Sequence, residues 1–461
     1  MKMQSQKGSI LILSLIFSTI FLLVLGAILS LIQVRRIATQ REAASIQAMT
    51  IAEAGIDYYR WHLAHMPKEF AQDTGIHDFK DPFGGTIGRF ELQVTPPQSG
   101  STIVTIRSTG WTLTYPNLKR IVEIQYGIPS LTKFAFLTNN NVWFGQGEEV
   151  KGPLHSNGGV RMDGEADSLV TSALETYICG LEHDCNNEVK PGVWGTGEIQ
   201  ELWKFPEPMV DFATITLDLG AMETEAIDNG FFLGPSGVFG YRLTFLSNGK
   251  FTVEKVTALH PRVYGYNGTQ WVYESNDYKT VQSIPGMSNL TIPADGLLYF
   301  QDRIWVEGTV NGRATVVAAR TQQQGGNANI LIQNNITYAP NTNSALALIA
   351  QKDVLVPLRS PDTMEIDGAL LAQSGHVFRY YYPPSFYPQY ALRDKIETYG
   401  TIITNTVWTW SWVNDANGPV VSGYEITETT YDTKLLFAPP PFFPSTGEYE
   451  RISWDERLLN Q

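Results

Sequence analysis

Seven histidines, two cysteines and a scatter of carboxylates are the residues here that could do chemistry, and their spacing limits what that chemistry can be. His155 precedes Ser156 in Leu154-His155-Ser156-Asn157-Gly158, a base next to a hydroxyl, but no third group is placed to orient the imidazole. A glycine-rich corner accounts for that segment better. Asp163, Glu165 and Asp167 alternate like the opening of a calcium loop, yet the twelfth position, where a bidentate acid belongs, is Leu174. Surface acids are the simpler reading. Cys179 and Cys185 are the only cysteines and flank His183 and Asp184. Zinc wants four ligands and closer cysteine pairs, and no second cluster exists, so a local disulfide in an oxidising compartment is expected. His62 and His65 share a helix face and read as polar surface. No G-x-S-x-G, H-E-x-x-H or G-x-x-x-x-G-K-[ST] motif occurs. The expectation is a protein that is not an enzyme and holds neither metal nor cofactor.

Two aromatic concentrations stand apart. Trp408, Trp410 and Trp412 alternate, so one strand would turn all three indoles the same way. Phe378 to Tyr390 sets seven aromatics around three prolines. Packing is the ordinary explanation for both; left exposed, they would form a patch for sugar or protein.

These residues sit in a chain of 461 with 17% charged and 43% hydrophobic positions, which excludes disordered and collagen-like classes. The formal charge of −13 argues against nucleic-acid binding, because phosphate contacts need Lys and Arg. The charge is uneven. Residues 1–66 hold six basic and three acidic side chains, a net of +3, so the other 395 carry −16.

The basic end contains the main element. Ser9 to Val34 runs 26 residues without a charge, more than the ~20 needed to cross a bilayer as a helix and too long for a cleaved secretory signal. Beyond it, Arg35 to His65 is rich in Ala, Gln, Arg and Glu, and the first proline is Pro67, so one helix of roughly 84 Å over 9–64 is expected. Ala44, Ala48, Ala52, Gly55 and Tyr59 fall on one face, where small residues would let another helix approach closely. By count of Lys and Arg on either side, the large body would weakly prefer the cytoplasm.

A short leader ending Lys7-Gly8, a long apolar helix and Ala52-Glu53-Ala54-Gly55-Ile56 together resemble the N-terminus of type IV minor pilins of the PilX kind, and also the K-type pseudopilin of type II secretion. The resemblance implies cleavage after Gly8 by a prepilin peptidase, methylation of Ser9, anchoring in the inner membrane before assembly, and delivery by an assembly platform to a pilus tip or the cell surface. It implies partners too: major and other minor pilins, met through the helix. That outweighs the charge count and puts the body outside the cytoplasm. The family's usual Glu at the fifth mature residue is replaced by Leu13, as in the K-type subunit, which points to a tip or initiating position. A plain membrane anchor carrying a surface adhesin is the alternative. An enzyme on a β-solenoid, such as a polysaccharide lyase, would need lines of Arg, Lys or Asp that are not found.

From Pro67 onward the pattern is short β-branched or aromatic runs between Gly, Asn, Asp and Pro, so the fold class is α+β. Residues 67–130 should form pilin-like strands, among them 90–94, 102–108 and 119–126. Residues 131–164 and 300–461 repeat short strands with tight corners, expected to be a β-solenoid or, alternatively, a β-sandwich. The stretch 165–299 reads as an inserted β-rich region, with a hairpin at 239–256 turning at Asn248-Gly249.

If the leader is processed, mass spectrometry of native protein should find Ser9 at the N-terminus, and Gly8→Leu should leave Met1 in place. An intact Met1 in the unsubstituted protein would contradict the processing.

Overall fold

The computed structural model describes residues 9–98, 100–212, 219–320, 328–415 and 418–457. Gly8 and the rest of the expected leader lie outside the described residues. The chain is a long N-terminal helix followed by a β-rich body, and it divides into two compact units.

The first unit holds α1 (Ser9–His65), a single helix of 57 residues that ends just before Pro67. Proline has no N–H to donate and disfavours helix in the residue before it, which fits the stop. Against its second half packs an antiparallel sheet of β1 (Gly75–Lys80), β2 (Thr86–Thr95), β3 (Val104–Thr112) and β4 (Arg120–Gly127), closed by the strand Glu450–Arg457 beside β4. That last strand, grouped with the body by the sequence reading, belongs to this sheet. Ion pairs from Arg120 to Glu456 and Arg457 to Glu123 accompany the backbone pairing.

The second unit, from Pro129 to Gly447, is built from three stacks of parallel strands. One runs Phe231–Leu233, Leu297–Phe300, Arg313–Ala318, Ala345–Ala350 and on through 369–372 and 402–404. It continues through Phe136–Thr138, Leu154–Ser156, Val170–Ser172 and Trp203–Lys204. A second follows Tyr241–Leu246, Ile304–Val310, Ile330–Leu331, Val354–Leu355, Val377–Phe378 and Trp408–Thr409. The third includes Ile336–Tyr338, Thr363–Ala372, Leu392–Thr404, Val420–Tyr431 and Glu148–Lys151. Thr363–Ala372 and Leu392–Thr404 take part in two stacks each and turn at Gly368 and Gly400, both at φ +149°. These two glycines are register partners, and a Cβ on Gly400 would strike the Gly368 carbonyl.

Strands buried on both faces need continuous apolar runs, which is why ALALIA (345–350) lacks the alternation of a half-exposed strand. Leu346 and Leu348 enter one core cluster, Ala347 and Ile349 another. The second cluster also takes Leu219, Met222 and Ala226 from α2 (Leu219–Asp228). The stretch 165–299 is spread between the two ends of the stacks. Its hairpin pairs Tyr241–Leu246 with Lys250–Leu259, and Gly249 is left-handed at φ +80° as an Asn-Gly turn requires.

Glu148 is enclosed in this body, and one carboxyl oxygen accepts the Gly145 N–H at 2.7 Å. Burial pushes its pKa up from 4.5 to about 8. The folded protein therefore holds a proton that the unfolded chain releases above its own lower pKa. Stability falls as pH rises through the window from 4.5 to about 8, then levels. Thermal melts should show a lower Tm at about pH 8 than at about pH 5, with Glu148→Gln raising the value at the higher pH by several degrees and flattening the slope. An unchanged slope in the variant would refute this assignment.

Candidate assembly helix and the residues singled out by sequence

Along α1, every described side chain from Ile10 to Ala43 is exposed, Leu13 among them. The apolar segment is long enough to cross a membrane by length and composition. Two of its hydroxyls bond back to the helix: Ser14 donates to the Leu11 carbonyl, and Thr19 to those of Leu15 and Ile16. A spanning helix needs such internal bonds, since lipid tails accept none.

From Ala44 the helix changes cover. Ala44, Ala48, Ala52, Gly55 and Tyr59 do share a face, joined by Ile51, Ile56 and Leu63, and that face is buried. It is buried on the chain's own sheet, against Phe90, Leu92, Ile106, Val122 and Ile124. The sequence reading assigned this face to neighbouring subunits; the structure corrects it. Small residues are needed because the sheet comes very close. A Cβ on Gly110 would collide with the backbone of Ala48 and Ala52, and one on Gly55 with Ser108 and Phe90. What remains free on this half of the helix is another face, with Ile46, Glu53, Asp57 and Trp61 exposed. Glu53, Asp57 and Arg60 border a groove of about 690 Å³ whose other wall includes Arg451 and Trp454.

The helix end is pinned by polar contacts. His62, expected at the surface, is 1% exposed and lies between Asp73 Oδ2 at 2.8 Å and the Glu69 carbonyl at 2.7 Å. Tyr59 donates its hydroxyl to the Phe70 carbonyl, and its pKa is pushed up to about 12 by burial and, next, by the Asp73 charge. His65 stays exposed, its Nδ1 at 2.8 Å from the Trp61 carbonyl.

The chemically suggestive residues are engaged in contacts of their own. His155 meets Thr171 and Asn157, while Ser156 donates to the Asn140 carbonyl, so base and hydroxyl do not pair. Burial lowers the His155 pKa. Asp163 accepts from Trp143, Arg161 and Thr196, and Asp167 from the Gly152 N–H. Among the described residues, no three His, Cys, Asp or Glu side chains are gathered for a metal. Cys179 and Cys185 form the disulfide, at the end of the hairpin that pairs Thr176–Cys179 with Glu188–Pro191. His183, between them, is buried, and that burial takes its pKa down to about 4.

Sequence reasoning missed what holds that hairpin. The Arg161 guanidinium lies 4.5 Å from the Trp143 ring and 4.8 Å from that of Trp194, and donates to Asp163 and to the His183 carbonyl. Nothing local in the sequence signals a cation held between two indoles so far apart. The tryptophan alternation held only in part: Trp408 and Trp410 are buried in the main core, but Trp412 turns toward Tyr266 and Tyr381. The strand breaks between Thr409 and Ser411, which frees Trp412 from the expected side. A second aromatic group was also missed, on the ribbon of Val263–Tyr266 and Trp271–Glu274. Its signal was legible, as VYGY and WVYE alternate around Asn267-Gly268.

Fold and site together define an α+β protein whose long helix is half apolar and half docked on its own sheet. No protein-family model matches the chain, and no curated protein matches it. Among solved structures it is similar to the competence-associated pilin ComZ from Thermus thermophilus, with 14% identity over 90% of this chain and 98% of that one, and a TM-score of 0.29. At that score the two are not shown to share a fold.

The helix–sheet contact makes a direct prediction. Gly110→Val should cost about 1–3 kcal/mol through overpacking and expose the stalk to limited proteolysis between Ala44 and His65. Wild-type resistance in the variant would mean that the contact does not hold the helix.

Proposed function

We propose that this chain is a non-enzymatic minor pilin, a tip or initiating subunit of a type IV pilus or a related secretion or uptake filament. The observation that carries the reading is α1 itself: one unbroken helix, uncharged from Ser9 to Val34 and then seated on an antiparallel sheet. Before assembly the apolar half holds the subunit in the membrane with its body outside the cytoplasm. After processing by a prepilin peptidase and transfer through the assembly platform, the same half joins the filament core. Contacts with major and other minor pilins then fall to the apolar half and to the free face with Ile46, Glu53 and Trp61. The body is a β-solenoid in this reading, supported by three parallel stacks that share strands bending at Gly368 and Gly400.

Leu13 supports the tip placement. An N-terminal ammonium inside an apolar bundle is very costly unless a carboxylate lies near it. In the family a neighbour's Glu provides that carboxylate, and Leu13 has none to offer. A body of 395 residues would also crowd a tight helical lattice but not a filament end. A dye placed on the body of intact cells should therefore label one end of each filament. Label spread along the filament would refute the tip assignment, and absence from every filament would leave an anchored surface module.

A further inference from the structure

The ribbon of Val263–Tyr266 and Trp271–Glu274 is sorted by side. Val263, Gly265 and Val272 face inward, where Val263 joins the cluster of Tyr380 and Tyr382 and a Cβ on Gly265 would press on Tyr382. The partners Tyr264↔Tyr273 and Tyr266↔Trp271 put four aromatics on the opposite side. Tyr264 and Trp271 stack with centroids 4.6 Å apart and planes 7° from parallel, while Trp271 remains 48% exposed and Tyr273 61%. Phe386, also largely exposed, borders Tyr264. A patch of this kind on a soluble surface marks a contact.

Tyr273 also lines a groove of about 570 Å³ with Arg262, Arg303 and Arg320. The carboxylates there are already engaged. Asp302 accepts from Ser236, from the Arg303 N–H and from the Arg320 guanidinium, and Glu274 accepts the Tyr380 hydroxyl. Arg262 has no hydrogen-bond or ion-pair partner among the described residues. Asn276, 4% exposed, leaves its side-chain NH₂ without an acceptor, as Arg320 does its Nε. The groove has donors and positive charge to spare, beside flat amphipathic rings.

We propose that this face binds an acidic polysaccharide through its uronate units. A pyranose lays its C–H face on the exposed ring of Tyr273, its neighbour meets the exposed edge of Trp271, and the carboxylate takes the donors of Arg262 and the groove behind it. Arginine suits a carboxylate because its fork can bond both oxygens. Tyr and Trp suit a sugar because one ring surface is apolar while the hydroxyl or N–H remains available to polar groups. A nucleic acid fits less well, because the guanidinium groups are confined to one groove and do not follow a run of phosphates. This ligand does not depend on whether α1 enters a filament.

The test uses full-length protein in detergent on a biosensor, with oligogalacturonate, dextran, single-stranded oligo-dT and inorganic phosphate as probes. Oligogalacturonate should bind and weaken with salt, dextran should bind far less, and both Trp271→Ala and Arg262→Gln should reduce affinity ~10-fold or more. Each replaces a side chain at the surface, and an unchanged Tm would show that the fold persists. Equal binding of dextran, displacement by phosphate as strong as by galacturonate, tighter binding of oligo-dT, or binding of none would each overturn the proposal.

Discussion

A helix apolar enough for a membrane in one half and amphipathic in the other must exchange one covering for another without interrupting its own hydrogen bonds. The sheet and the turn that follow α1 are shaped by how it meets that demand. In its apolar half nothing but the helix can satisfy the backbone, so proline is absent and even Ser14 and Thr19 bond back to the preceding turn. In its second half a bare helix would be marginal, because isolated helices gain little beyond propensity. The sheet supplies the missing burial, and it can approach only where both surfaces are nearly flat. Gly55 and the alanines flatten the helix; Gly110 and Gly88 flatten the sheet. The turn after the helix is then fixed by His62, held between Asp73 and Glu69.

The body answers a different constraint. Parallel strands stacked in register place like residues over like residues, so a favourable side chain is favourable repeatedly and an unfavourable one accumulates. Ala318, Ala350 and Ala372 form one such row, and Val317, Ile349 and Leu371 another. The same rule places Glu365, Glu397, Glu428, Glu149 and Glu165 side by side on successive strands. Like charges directly opposite are destabilising. Lys395 reaches both Glu397 and Glu428, and Lys151 reaches Glu149, so the three central glutamates each have a lysine beside them. Register therefore decides where like charges meet, and lysines stand at those places.

What could be read from the sequence was what has a local period. The helix limits, the strands at 90–94, 102–108 and 119–126, and the Asn-Gly hairpin all carry their signal in adjacent residues. The shared face of Ala44 to Tyr59 was legible for the same reason; its partner was not, because small residues invite a sheet as readily as a helix. Partners distant in the chain left no trace. Arg161 gives no hint of Trp194, and nothing near Glu450 says that it will lie beside Gly127. His62 was misread because its burial is created by a turn from Glu69 to Asp73 that has no periodicity at all.

The distant pairing of β4 with Glu450–Arg457 raises a question of cost. Between Gly127 and Glu450 lie roughly 320 residues, and closing a flexible loop of that length has a length-dependent entropy of about 5 kcal/mol. The strand that closes it buries little, since most of its side chains stay exposed. Its ion pairs are half-exposed and would not offset such a cost. The body removes most of it beforehand. Within that unit Ser130 and Ser445 form a β-bridge, Ser130 donates its hydroxyl to the Pro444 carbonyl, and the Thr446 N–H donates to Pro129. A folded body therefore presents its two ends side by side, and the sheet sees a short connection instead of a long loop. That is the condition under which one compact unit can be inserted into another. A weakly buried terminal strand can then complete the sheet on which the helix rests.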